Sequence, residues 1–519
     1  MENANLLASA VPDLESKPAA EWESPARAAP PQARLKPINR QQSVLRPVEV
    51  ERLVEEDHPV RAIWELVGRL LPDAFYVGIK AVEGTAGQAA FDPELLTSLW
   101  GYAYSRGIGS AREIARLCEY HPAYQWLTGL ETVNYHTLSD FRTRHPEALT
   151  RLFTEVLGLL SHAGLITLER VMHDGTKIKA FAADNSFRRE ATLREHLGKA
   201  REQVEQLSDP AAEELTQRAL QARQRARREK QQRLESALQQ LPEIQARTAA
   251  AARASSSDPE ARIMQSKGGF APGYNVQIST DAAAKIIVGV GVSQAAADAA
   301  ELVPAVERIE AYLGQTPQQI VVDQGFTNQA TIEAMAATPL DLIGALPDPS
   351  THSEAALRQR GVSPEFFPAA FVYDPVADCY TCPAGQTLAY EGKEKRGTAT
   401  RYRYRAKSSQ CQSCPRKAQC CPQNQQGRSL VRLEDSPTVA AFKAKMRTAA
   451  AQTIYKQRAG VAEFPNAWIK AKIGLRQFRL RGRAKVGLEA LWACLTYNIQ
   501  QWIRLVWRPQ LPTLQSSLI

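Results

Sequence analysis

A mixed α/β (α+β) fold whose sheet core is interrupted twice is predicted by three observations. Amphipathic helical patterns fill the chain from about residue 48 to 150, strand-like runs begin at about 166, and a strand–helix–strand unit follows those runs. Residues 1–44, rich in Pro, Ala, Glu and Arg, lack any apolar period and are expected to be a disordered arm.

The segment 45–160 is expected to be a helical DNA-binding domain. VRAIWELVGRLL repeats apolar residues at three and four. DPELLTSLWGYAYSRG opens with Asp92 as cap and Pro93 in the first turn, and Ser110 caps the following helix. Thr137 and Ser139 mark another helix start. Short helices with arginine-bearing starts fit a helix-turn-helix-like module, and a plain helical bundle fits the pattern equally.

Core strands are expected in ITLERVMHDGTKIKAFA, GYNVQISTD, KIIVGVGVSQ and QQIVVDQGF, with a helix in AAADAAELVPAVERIEAYL. These place catalytic-core parts at 161–186 and 256–349. Between them, residues 187–255 keep a heptad rhythm at Leu193, Leu197, Val204 and Leu207, break at Asp209-Pro210, and resume toward Leu234, Leu238 and Leu241. A helical hairpin with a coiled-coil seam is expected there. Residues 350–435 hold the cysteine cluster, 436–507 the C-terminal helices and a basic stretch, and 508–519 a tail.

The chain has 519 residues, 44% hydrophobic and 23% charged, which leaves room for about three or four domains of globular type. A net charge of +9 points to a polyanionic partner, with nucleic acid the first candidate. The opening MENANLLASA shows neither a basic leader nor an apolar core, and no run is long and apolar enough to span a bilayer. Eight cysteines without a secretion signal fit a reducing compartment, so a cytoplasmic protein is expected.

Cys379 and Cys382 form one C-x-x-C, Cys411 and Cys414 another. Two such knuckles can complete a four-sulfur zinc site in a ribbon-like insertion, and TLAYEGKEKRGTATRYRYRA between them can supply its strands. The gap is long for a ribbon, and Cys420 and Cys421 compete as ligands. Cys118 and Cys494 lie in apolar helical patterns and are expected in the core.

Three acids stand out. Asp174 is expected at or near the end of the first core strand. Asp323 follows QQIVV at the tip of a buried strand, and Glu463 is the single acid in YKQRAGVAEFPNAWIK. Acids from separate segments of a basic protein suit hard divalent cations, and two such ions can serve a phosphodiester displacement. Each acid also has a plain structural reading: Asp174-Gly175 as a hairpin turn, Asp323 as a turn or helix cap behind Thr327, Glu463 as an exposed side chain. Glu489 is a rival third acid, placed in a pattern that reads as a packed helix. From Lys470 to Lys485 the cations Lys470, Lys472, Arg476, Arg479, Arg481, Arg483 and Lys485 occur with no acid, and Lys177 and Lys179 follow Asp174.

Taken together, HDGTKIKA, KGGFAPGYNVQISTD, IVVDQGFTN and YKQRAGVAEFPNAWIK resemble the DDE transposases of bacterial insertion sequences, in the branch with a Y-R-E-K signature around the last acid. The helical N-terminal pattern and the ending GLRQFRLRGRAKVGLEALWACLTYNIQQW extend the resemblance over about residues 45–505. It implies a ribonuclease-H-like, retroviral-integrase-like core using Mg2+ or Mn2+. It also implies Asp174, Asp323 and Glu463 as catalytic ligands, and Tyr455, Arg458 and Lys470 on the DNA backbone. The implied partners are double-stranded DNA, as terminal inverted repeats and target, and a second copy in a working homodimer. The implied location is the cytoplasm, at the nucleoid when DNA is bound. One more residue separates Arg458 from Glu463 than in the tightest form of the signature. Pro465 is expected to kink the helix past Glu463 or to restart it.

Overall fold

The structure is a computed structural model that describes residues 40–511 apart from positions 42, 44, 46, 80, 82–88, 206–216, 248–249, 267, 346–348 and 397–398. The arm expected over 1–44 therefore lies almost wholly outside the described residues, as do most of the tail, Leu207 and the Asp209-Pro210 break. The described positions up to Glu49 adopt no helix or strand.

Six helices come first: α1 (Pro59–Leu70), α2 (Pro93–Ser105), α3 (Ala111–Tyr120), α4 (Pro122–Thr128), α5 (Tyr135–Arg144) and α6 (Pro146–His162). Local chemistry sets their starts. Asp92 accepts the Glu94 N–H at 2.8 Å, with Pro93 at the first helical position, and Ser110 accepts from Glu113. The cap of α5 is Asn134, not Thr137 or Ser139, because its side chain reaches the His136 N–H.

The main sheet contains β1 (Arg170–Lys179). Phe187–Arg188 (β2) then starts the first insertion, which holds α7 (Glu190–Glu205) and α8 (Gln217–Arg247) and ends at Ala254–Ser255 (β3). The sheet resumes with β4 (Arg262–Ser266), β5 (Gly269–Asp281) and β6 (Ile287–Ser293). It continues through α9 (Leu302–Leu313), β7 (Gln319–Val322), α10 (Gln329–Ala336) and β8 (Asp341–Gly344). Antiparallel β5 carries β6 and β4 along one edge and β1 along the other, and β7 and β8 continue parallel to β1. The short strands β4 and β8 have no clear sequence signal. Asn328, not Thr327, caps α10.

Helices α7 and α8 pack through Leu193, Leu197 and Ala200 against Leu234, Ala237 and Leu241. Arg201 reaches Glu235 while Arg227 reaches Gln203, so the pair runs antiparallel. β2 pairs with β3, which closes the insertion where it leaves the core.

After α11 (Pro349–Gln359) comes a second sheet, β9 (Val372–Asp374), β10 (Cys379–Thr381), β11 (Thr387–Arg396) and β12 (Ala399–Ala406). Two short helices, α12 (Ser408–Gln412) and α13 (Lys417–Cys420), precede its last strand β13 (Ser429–Glu434). Its order is sequential and antiparallel, β13-β12-β11-β10-β9.

The chain ends in α14 (Pro437–Met446), α15 (Ala449–Lys456), α16 (Arg458–Ala471) and α17 (Arg483–Trp502). α17 is exposed in its first turn and mostly buried from Val486 onward, on all sides. Trp492 stacks on Tyr104 of α2, and Asn498 brackets the Ile287 backbone with two hydrogen bonds. Cys118 and Cys494 are buried. Hence one core runs from the N-terminal helices through β1, β5 and β6 to α17. A second, around β7 and β8, is closed by α10, α14 and α15. Among the described residues no helix is long and apolar enough to cross a membrane.

Candidate active site

The parallel ladder of β1 and β7 aligns Arg170 with Gln319 and His173 with Val322, where it stops. Asp174 and Asp323 are the next residue on each strand, so register alone sets them side by side, with neighbouring strands about 4.8 Å apart. Asp174 thus lies in the middle of β1, beyond the end of its parallel partner, and not at a strand end or in a hairpin turn.

Asp174 is held from several sides. The Gly175 N–H donates to Oδ1 at 3.1 Å, Asn466 Nδ2 donates to Oδ2 at 3.1 Å, and Arg458 Nη1 lies 3.8 Å from Oδ1. Burial pushes its carboxyl up to about 6. Arg458 opposes the rise, and the charges of Asp323 and Asp298 add to it. Asp323 accepts the Gly325 N–H at 2.8 Å.

Arg458 and Asn466 come from α16, on one i, i+4 row with Ala462 and Lys470. Glu463 is exposed on the same helix, one turn before Asn466. Among the described residues no hydrogen bond or ion pair joins Glu463 to either aspartate. Nor do three or more His, Cys, Asp or Glu side chains gather in a metal-holding group. The helix neither restarts nor ends at Pro465, which is buried inside α16. The break falls at Gln457, between α15 and α16. Tyr455, on α15, is half-buried against the second core.

Lys177 is engaged with Asp298 at 3.2 Å. Lys470 and Arg476 line a groove with β1 residues Gly175 to Lys179 and β5 residues Ala271 to Gly273. Lys472, Arg476, Arg479, Arg481, Arg483 and Lys485 are all exposed, and Arg481 stacks over Phe181. Glu489 is buried and accepts the backbone N–H groups of Arg479 and Leu480, so it holds the basic loop in place.

Two contributors escaped the sequence reading. Asn466 is silent in a helical pattern, whereas Asp298 is a lone acid among alanines. The polar residues on that face of β5 had a readable signal: Asn275, Gln277 and Ser279 recur at period two in a strand and are fully buried.

The expected cysteine quartet is not assembled. Cys382, Cys411, Cys414, Cys420 and Cys421 line one small pocket in the second sheet's core, and Cys379 on β10 does not. Strand pairing places Cys379 opposite Asp374 and Ala389, away from that pocket. Cys382 accepts the Gln386 N–H and Cys411 the Arg428 N–H, while burial pushes the Cys420 thiol up to about 12. Cys411, Cys420 and Cys421 belong to the core of this second sheet, while Cys379, Cys382 and Cys414 are half-buried.

A hard cation fits the Asp174–Asp323 pair. Its donors are carboxylate oxygens that repel each other, and the buried Oδ1 of Asn466, beside Asp174, has no hydrogen-bond partner. Residues 48–144 match the family model described as Transposase domain (DUF772), and residues 381–503 match the model Transposase DDE domain. Two segments of the chain are thus similar to transposase domains. These matches support function as an insertion-sequence transposase. They span less than half of the chain. The second includes Glu463 and the basic stretch, while Asp174 and Asp323 lie outside both. No curated protein matches the chain significantly. Among solved structures, the piggyBac transposase synaptic complex with hairpin DNA aligns over 88% of this chain and 82% of its own. Its 10% identity and TM-score of 0.24 add nothing to the assignment.

Proposed function

We propose that the chain cuts DNA at the ends of an insertion sequence and joins the freed 3′-hydroxyl to target DNA. The observation that carries this reading is the register that sets Asp174 beside Asp323, with α16 of the matched DDE segment packed against Asp174. The strand order supports a ribonuclease-H-type core: three antiparallel strands, β6, β5 and β1, continued by parallel β7 and β8.

Asp174 and Asp323 would hold a divalent cation, magnesium or manganese. Glu463 would join them, lying one turn from the residue of α16 that touches Asp174. Such an ion supplies activation of the attacking oxygen and neutralisation of charge on the leaving one. Arg458, already against Asp174, is placed to meet a phosphate oxygen and offset charge in the transition state. Tyr455, Arg458, Glu463 and Lys470 keep the order of the Y-R-E-K signature. Lys470, Lys472, Arg476, Arg479, Arg481 and Arg483 would carry the DNA backbone away from the site, and the N-terminal helices would read the terminal repeats. Joining two ends calls for a homodimer on DNA, in the cytoplasm at the nucleoid. For the thiol pocket we propose a structural role. One zinc per chain, retained in Cys379→Ser and lost in Cys414→Ser, would make it a metal site.

The test is nicking of terminal-repeat DNA in magnesium, which Asp323→Ala abolishes. Firm binding without cutting by the wild type would make the chain a DNA-binding relative without catalysis. Cutting without transfer of a pre-cut 3′-hydroxyl end would make it a nuclease.

A further inference from the structure

Behind β1, on the face away from α16, lies a set of hydrogen bonds centred on Asp298, in the connection from β6 to α9. Its Oδ1 accepts from Asn275 Nδ2 at 2.6 Å and from Gln277 Nε2 at 2.9 Å, and its Oδ2 pairs with Lys177 Nζ at 3.2 Å. Gln277 Oε1 in turn lies 2.9 Å from His173 Nε2, and His173 Nδ1 lies 2.9 Å from Ser279 Oγ. The roles are forced. The Gln277 amide nitrogen serves the carboxylate, so its oxygen accepts, His173 Nε2 carries the proton, and Nδ1 accepts from the Ser279 hydroxyl. Burial, with Arg308 nearby, holds the imidazole down to about 3, so it is neutral at physiological pH.

The set follows from strand periodicity. His173, Gly175 and Lys177 share one face of β1 and are cross-strand partners of Ser279, Gln277 and Asn275. Gly175 leaves the gap that Asp298 fills: a Cβ there would clash with Asp298 Oδ1 and lie 2.8 Å from Gln277 Nε2. A Cβ on Gly325 would lie 3.1 Å from Asp323 Oδ1 and 3.7 Å from Asp298 Oδ2. The carboxylate therefore sits between the glycine after Asp174 and the glycine two residues after Asp323. Its loop is tied onward to α10, where Asn328 and Thr331 donate to the Ala299 carbonyl at 2.7 and 3.2 Å.

We propose that Asp298 is a positioning residue for the Asp174–Asp323 pair, a brace that fixes the strand bearing the first acid against the loop after the second. Its oxygens are engaged by three protein donors, so it supports the ligands without being one, as outer partners of metal ligands do. The assignment of the pair as ligands rests on the proposed function; the brace itself rests on these contacts.

The test uses the full-length protein with Asp298→Ala, the near-isosteric Asp298→Asn, and Gly175→Ala, whose methyl displaces the carboxylate. One readout is the rise in melting temperature on adding Mn2+ without DNA. A second is the Mg2+ concentration for half-maximal nicking, and a third is gel-shift binding of terminal-repeat DNA. We expect all three variants to need roughly 10–100-fold more metal and to show a reduced Mn2+ shift, with DNA binding kept. High Mg2+ should restore cutting to them but never to Asp323→Ala. Wild-type metal dependence in folded Asp298→Asn would overturn the brace, as would losses that merely track the unfolded fraction. If the wild type does not cut at all, the catalytic reading fails. The Mn2+ shift still decides the brace, since it would then be equal in wild type and variants if the proposal is wrong.

Discussion

Asp174 bears a carboxylate that the fold makes harder to ionise, raised from 3.8 to about 6 chiefly by burial. A carboxyl whose folded value lies above its unfolded one favours the fold at low pH. That stability is present below about 3.8 and is lost as pH rises through about 6. Asp174→Asn should therefore be more stable than the metal-free wild type by about 1–2 kcal/mol at pH 8, after allowing for the lost Arg458 contact. The gap should narrow by pH 5 in denaturant unfolding, and Mg2+ should stabilise only the wild type. Burial raises Glu489 as well, but its carboxylate is tied to the backbone. Its removal leaves two backbone donors in a buried setting, so Glu489→Ala should cost about 2–4 kcal/mol. Nicking per bound DNA should persist even where loosening of the basic loop weakens DNA binding, which separates Glu489 from Glu463. At this scale the position of Asp323 was legible, because an acid closing the run QIVV announces a strand tip, whereas Asp174 was expected at a strand end and lies in the middle of β1. Asp298 and Asn466 were not, because their importance comes only from what the fold sets opposite them.

Elements were legible where periodicity was strong. The alternating tyrosines of β12, the apolar runs of β5 to β7 and the caps at Asp92 and Ser110 all stand in the structure. Short strands were missed, since four residues carry too little pattern to separate strand from loop. Pro465 does not restart the helix: a helix tolerates it where packing supplies more than the lost donor, and α16 buries its face against β1 and β5. The first insertion is the element with the clearest test. β2 and β3 bring Phe187 opposite Ser255, and α7 and α8 have a core of their own. Replacing residues 189–253 with a two-residue Asn-Gly turn should leave a folded protein, with a melting temperature within a few degrees. Calorimetry and nicking of a single end check this.

The molecule as a whole departs from the expected division at residue 160. The N-terminal helices share a continuous core with the sheet and α17, which sequence could not show because a helix without one distinct apolar face names no partner. A fragment lacking residues 1–160 should therefore aggregate instead of folding. Across the surface, the run of exposed cations from Lys472 to Lys485 predicts steep salt dependence of DNA binding. Arg476→Ala with Arg483→Ala should lower the slope of log affinity against log salt by roughly 2, measured by titration at several salt concentrations. Chain length has unequal consequences in this architecture. Losing some sixty residues between Phe187 and Ser255 leaves both ends where they were. Deleting one residue from Gln319–Val322 would slide Asp323 out of step with Asp174 and turn alternate side chains to the wrong face. Where the chain is counted against a neighbour, a single residue outweighs a whole hairpin.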